Sequence, residues 1–319
     1  MPYCLPNILR RCVAALVLSA IGAGLMSAAH AQNAPPTAVR VGSKIDTEGK
    51  LLGNLIVLAL EARGIKTENK SSLGATQVMR GAITSGAIDI YPEYTGNGAF
   101  IFAEETSPVW KNAQAGFERV KALDYAKNKI VWLDAAPANN TWSIAVRKDI
   151  ADAARLSTLG DLSAWLNTAA GRSFKLAASA EFVERSDALP AFQAAYDFKL
   201  LPAQLLTLAG GDTAVTIKAA AEKTSGVNAA MAYGTDGAVA ALGLVLLADP
   251  KNVQPVYAPA PIVREAVLQR YPGIREALAP VFKQLDAPTL RGLNARILLE
   301  GVDAKKVAAD FLKSKGLLK

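Results

Sequence analysis

The chain has almost none of the side chains on which most enzyme chemistry depends. Of its 319 residues, two are cysteine and one is histidine. All three, Cys4, Cys12 and His30, fall within the first thirty-one positions. Beyond Ala31 there is no thiol and no imidazole. That excludes a structural disulfide, a thiol nucleophile and a Ser-His-Asp triad. It also excludes the usual zinc and copper sites and the commonest acid–base group of neutral pH. No Gly-x-x-x-x-Gly-Lys-Ser/Thr phosphate loop occurs. Beyond Ala31 no basic run exceeds two residues, as at Lys305-Lys306, too little for a nucleic-acid surface. With 24 glycines and 16 prolines the chain is not of low complexity, and it carries no internal repeat.

Long apolar runs are also missing, with one exception near the start. Arg10 and Arg11 precede an apolar stretch from Val13 to Leu25, and Ala29-His30-Ala31 supplies a cleavage site before Gln32. Residues 1–31 therefore read as a secretory signal peptide. No later stretch is long enough to span a membrane, and no cysteine follows the apolar stretch to take a lipid. A soluble, exported protein is expected. Its net charge drops from +7 to +5, because Arg10 and Arg11 leave and no acid leaves with them.

The remaining length is a prior for two domains. Val39 to Ser43 reads as a strand, followed by a helix capped at Asp46-Thr47-Glu48 with Leu51, Leu52, Leu55 and Ile56 on helical spacing. An extended segment over 65–70, a helix from Thr76 stopped at Gly86, and a strand over 87–91 ended by Pro92 complete a first unit. After a helix over 111–128 and a strand over 130–133, Pro137 to Asn140 breaks the pattern. The strand over 141–147 then opens a second unit of alternating strands and helices. Proline-punctuated extended chain over 255–262 leads into three or four terminal helices. The order predicts two α/β lobes, each a parallel sheet flanked by helices.

In open sheets of this kind ligands bind beyond the carboxyl ends of the strands. The loops there carry Lys44, Tyr94, Asn97, Arg185 and Tyr233, with Trp142 and Tyr257 near by. Aromatics make up only 7% of the chain, so this clustering is pronounced. Aromatic rings and two cations on facing loops point to capture of a small molecule.

Several stretches resemble one family: Val41-Gly-Ser-Lys44, Leu73-Gly-Ala-Thr-Gln77, Gly86-Ala-Ile-Asp-Ile-Tyr-Pro-Glu-Tyr-Thr-Gly96, Asn139-Asn-Thr-Trp142, Glu181-Phe-Val-Glu-Arg185 and Ala232-Tyr-Gly-Thr-Asp-Gly237. The family is the glycine betaine, choline and proline-betaine substrate-binding proteins of osmoprotectant ABC transporters, in its periplasmic, osmotically induced branch. The resemblance implies a two-lobed type II periplasmic binding protein. Residues 32–138 with about 254–319 would form lobe 1, and residues 139–253 lobe 2. It implies an aromatic box of Tyr94, Trp142, Tyr233 and Tyr257 around a quaternary ammonium, whose methylated nitrogen has no N–H to donate and suits ring faces. Lys44 and Arg185 would hold the ligand carboxylate, with Asn97 and Asn140 orienting it. Position 142 is commonly Tyr in the family, the position of Asn97 is often Thr, and Ile45-Asp-Thr-Glu48 and Gly210-Gly-Asp212 also depart from its usual runs. The implied partners are the solute and the permease subunits of the inner membrane. A monomer in the periplasm without metal or cofactor is expected. Two other readings keep the fold: a receptor presenting its solute to a membrane sensor, and an exported enzyme using Lys44 and Glu93 on a small cationic substrate.

Overall fold

A computed structural model describes residues 38–318. The signal-peptide reading of residues 1–31 lies outside the described residues. Among those described, ten strands form two five-stranded sheets. In chain order they are β1 (Val39–Lys44), β2 (Thr67–Gly74), β3 (Ile90–Tyr94), β4 (Ile130–Trp132), β5 (Trp142–Arg147), β6 (Leu176–Ser179), β7 (Leu205–Leu208), β8 (Ala229–Tyr233), β9 (Leu244–Leu246) and β10 (Pro259–Arg264). The first sheet has the order β2-β1-β3-β10-β4 and the second β7-β6-β8-β5-β9. The chain thus passes between sheets twice, after β4 and after β9. Helices flank each sheet, giving a mixed α/β, two-lobed periplasmic-binding-protein fold.

The helix Thr47–Glu61 shows how local sequence becomes core. Asp46 caps it by accepting the backbone N–H of Gly49 at 2.7 Å. Leu51, Leu52, Leu55, Ile56 and Leu60 are fully buried between β1 and the terminal helices Ile274–Phe282, Ala287–Glu300 and Ala304–Ser314. Each such side chain contributes about 1.5–3 kcal/mol of burial. This packing holds the carboxyl end of β1, and with it Lys44, against the C-terminal part of the chain.

Three expectations need correction. The sheets are mixed, not parallel. β10 runs antiparallel between β3 and β4, and β5 lies antiparallel between β8 and β9. Pro92 does not end β3 but pairs with Pro261 inside the ladder. Pro261 turns its carbonyl towards Leu133 on the β4 side, so it faces Pro92 across a non-hydrogen-bonded pair and neither ring removes a bond between β3 and β10. Finally, β7, an edge strand paired with β6, falls in a segment where no strand is expected from the sequence.

Candidate functional site

Strand ends of both sheets deliver the aromatic residues to one place. Trp142 opens β5 and Tyr233 closes β8, and the two are direct cross-strand partners. Their rings therefore share a face of the second sheet, near-parallel at 19° with centroids 6.4 Å apart. Tyr257 leans on Trp142 from the segment entering β10, at 5.7 Å and 55°. It is placed by two backbone contacts at the crossing between sheets: its N–H donates to Asn139 Oδ1 at 2.8 Å, and its carbonyl accepts from Asn140 N at 2.9 Å. Tyr94, at the end of β3, comes from the other sheet.

These four rings, with Lys44, Asn97 and Asn140, line one cavity. Asp46, Thr76 and Glu181 complete its polar wall. Seven of the eight residues singled out from the sequence are thereby brought together. Arg185, expected to read a carboxylate opposite Lys44, does not line this cavity. Its guanidinium lies 4.6 Å from the Trp142 ring on one side and 4.3 Å from the Phe100 ring on the other. Its Nε and Nη2 donate to the two oxygens of Asp187 at 2.9 and 2.7 Å. Nη1 donates to Asn97 Oδ1 at 2.9 Å and to Glu181 at 3.0 Å. A buried Arg so engaged supports Trp142 and joins the two sheets through Asn97.

Lys44 is also engaged. Its Nζ lies 2.9 Å from Glu93, donates to Thr76 Oγ1 at 3.0 Å and sits 5.0 Å from the Tyr94 ring centroid. Burial pushes the Glu93 carboxyl up, but the Lys44 charge and the donors from Lys44, Tyr91 and Asn97 outweigh it and hold Glu93 below the ordinary carboxylate range.

Behind the wall lies a second polar knot that fixes the crossing segments. Glu48 accepts from the Tyr94 hydroxyl at 3.0 Å, from Asn140 Nδ2 at 2.9 Å and from Asn294 Nδ2 at 2.8 Å. Asn140 Nδ2 also reaches Thr235 Oγ1 at 2.6 Å. Asp236 closes the turn after β8 by accepting the N–H of Tyr233 and the hydroxyl of Thr213. That turn presses on the helix Ala287–Glu300 so closely that a Cβ at Gly237 would sit 1.9 Å from the carbonyl oxygen of Arg291. Asp46, Glu48, Asp236, Thr76 and Glu181 were not singled out as site residues from sequence. The helix-start signal covers Asp46 and Glu48, and the stretches that carry the family resemblance cover Thr76, Glu181 and Asp236, but they give none of the five a role.

Desolvation pushes the Asp236 carboxyl up to about 7 against the donors it accepts, and burial likewise holds Glu48 and Asp46 above their ordinary values. The folded value of Asp236 exceeds its unfolded value of about 4. Its contribution to stability is therefore complete below pH ~4 and is lost as pH rises through about 7. Beyond residue 31 the chain has no histidine to obscure this. Protein lacking residues 1–31 is expected to unfold at a lower temperature at pH 8 than at pH 6, and Asp236→Asn to flatten that difference. An undiminished slope in the variant would assign the pH dependence elsewhere.

Comparison with known proteins agrees with this arrangement. Residues 37–314 match the family described as the substrate binding domain of ABC-type glycine betaine transport systems. The glycine betaine-binding protein YehZ of Escherichia coli is 66% identical over 281 residues, covering 88% of this chain and 92% of that protein. A glycine-betaine-binding protein of Pseudomonas aeruginosa is 31% identical over 93% of each chain. The solved structure of apo YehZ covers 88% of this chain and 99% of its own, with a TM-score of 0.64. A match across nearly all of the described residues, in a fold whose strand ends carry a shared aromatic cavity, makes this chain a member of the substrate-binding domain family of ABC-type glycine betaine transport systems.

Proposed function

We propose that the protein is a periplasmic receptor that captures a quaternary ammonium solute, glycine betaine or a close relative, between its lobes and delivers it to an ABC permease. It works as a monomer and performs no catalysis. Its leader is removed after Ala31. Lobe 1 comprises residues 32–138 and about 254–319, lobe 2 residues 139–253.

The observation that carries this reading is the cavity wall of Tyr94, Trp142, Tyr233 and Tyr257, drawn from both sheets. Electron-rich ring faces suit a methylated ammonium, and each desolvated contact is worth roughly 0.5–2 kcal/mol. Asp46 adds a carboxylate to the same wall, favouring the cationic head. The indole Nε1 of Trp142 interacts with Tyr233 and the hydroxyl of Tyr257 with Asp187, both outside ideal hydrogen-bond geometry. Lys44 keeps one of its three N–H donors beyond Glu93 and Thr76 for a carboxylate.

Ligand contacts drawn from both lobes favour a closed cleft, a hinge motion driven by population shift.

Calorimetry on protein stripped of bound solute tests the reading against glycine betaine, choline, carnitine and proline betaine. Saturable binding of at least one is expected. If all four fail to bind, the solute class is wrong. In the same assay Arg185→Ala should weaken betaine and choline by similar factors, because Arg185 lies behind Trp142 and between the sheets. A loss confined to betaine would put the guanidinium on the carboxylate instead.

A further inference from the structure

We propose that Glu93, which does not line the cavity, sets which ligand charge the cavity accepts by neutralising Lys44. The inference rests on the proposed solute class and concerns the end of the ligand away from its ammonium. Glu93 is completely buried and collects donors from four sides. They are Lys44 Nζ at 2.9 Å, the Tyr91 hydroxyl at 2.7 Å, Asn97 Nδ2 at 2.7 Å and the backbone N–H of Tyr94 at 2.8 Å. Two of these donors belong to side chains of the cavity wall. Among the described residues Lys44 is the only cationic one on that wall.

The pairing has two consequences. It cancels the wall's one positive charge, so a carboxylate entering beside Lys44 meets a pair that is close to neutral. It also fixes the amide of Asn97. With Nδ2 turned to Glu93, Oδ1 is left to accept from Arg185 Nη1. Arg185 in turn is shared between Asp187 and Glu181, so its charge is spent as well. The cations at this end of the site are thus both compensated inside the protein. The wall's remaining carboxylate is Asp46, which accepts the backbone N–H of Gly49 at 2.7 Å. Such a site distinguishes a zwitterion from a simple cation only weakly, and Glu93 is the group holding it there. Glu93 stays ionised at neutral pH, since its carboxyl is held below the ordinary range. The pairing therefore persists across the physiological window.

The test is the ratio of choline to glycine betaine dissociation constants. The two solutes share a trimethylammonium head and differ only at the other end. Glu93→Gln preserves side-chain length and one carbonyl acceptor while releasing the charge of Lys44. The ratio should shift towards betaine by about tenfold or more, the scale of one charge-assisted contact in a partly desolvated site. Loss of packing alone would weaken both solutes and leave the ratio unmoved. Adding Lys44→Met to Glu93→Gln removes the released charge and should bring the ratio back to the wild-type value or below it.

If Glu93→Gln does not fold, Lys44→Met and the double variant give the same information. Lys44→Met leaves Glu93 as an unopposed negative charge and shifts the ratio towards choline, and the double variant reverses that shift. A ratio unchanged in Glu93→Gln, or identical in Lys44→Met and the double variant, overturns the assignment. Failure of wild-type protein to bind either solute would instead overturn the solute class.

Discussion

Trp142→Ala should weaken any quaternary ammonium solute by ten- to a hundredfold while leaving a folded protein. Trp142 touches four other side chains around the site. Its ring meets Tyr233 and Tyr257 along the wall, Phe182 edge-on at 5.6 Å beneath it, and the Arg185 guanidinium at 4.6 Å. Truncation removes one ring face from the ligand and lets its neighbours collapse into the gap. Lost ring contact and lost burial together come to roughly 1–3 kcal/mol. Each ~1.4 kcal/mol is a factor of ten. The fold itself should lose stability by about 3–5 kcal/mol, the cost of an aromatic-to-alanine change in a packed site. Trp142→Phe separates the contributions. It keeps an aromatic face but loses the indole N–H, so it should cost much less for choline if the face is what matters. Calorimetric titration checks both variants against circular dichroism for folding. A folded Trp142→Ala protein that binds within twofold of wild type would remove Trp142 from the site.

The second large effect lies beside the first sheet, outside the cavity wall. Arg80→Ala should destabilise the protein by about 3–5 kcal/mol. Arg80 Nη1 and Nη2 donate to the two oxygens of Asp124 at 2.8 and 2.6 Å. Asp124 is completely buried and also accepts from Trp132 Nε1 and Asn128 Nδ2, both at 2.8 Å. One carboxylate thus joins the helix Thr76–Thr84, the helix Ala113–Asn128 and β4. Burial works against the Arg80 charge, but Asp124 outweighs it and raises its pKa well above the ordinary value. Removing Arg80 strands a charge in the interior, and the remaining N–H donors replace only part of what it supplied. The neutral pair Arg80→Met with Asp124→Asn should recover much of the loss, because no buried charge is then left alone. Urea unfolding measures all three proteins. A loss below about 1 kcal/mol for Arg80→Ala would show that water or other donors reach Asp124, and the pair would not be the tie it is taken to be.

The neighbourhood of Pro92 shows where local reading stops. A proline in sequence marks a missing N–H, which is a property of the residue alone. Whether that N–H is needed depends on which edge of the strand it faces. The answer lies in Pro261, far along the chain, whose carbonyl turns away from β3. The same holds for the sheets. Alternation of strands and helices gives two α/β units, but the antiparallel insertion of β10 between β3 and β4 joins residues more than a hundred positions apart.

The sequence by itself determined which reactive side chains are missing and that aromatic residues gather at strand ends. The absence of cysteine and histidine beyond residue 31 is a count, and a count needs no structure. The cap at Asp46 and the buried helix after it follow from short-range periodicity, because i, i+3 and i+4 neighbours share a face whatever lies opposite. The aromatic residues at strand ends were legible for the same reason: a strand's carboxyl end is a local feature. Only the tertiary structure decided which charges were free. Lys44 and Arg185 carry the same charge in any reading of the chain. Glu93 cancels one of them, and Asp187 with Glu181 the other, at distances of 2.7 to 3.0 Å. The strength of a charge in a buried site depends on its neighbours within a few ångströms, and packing alone chooses those neighbours.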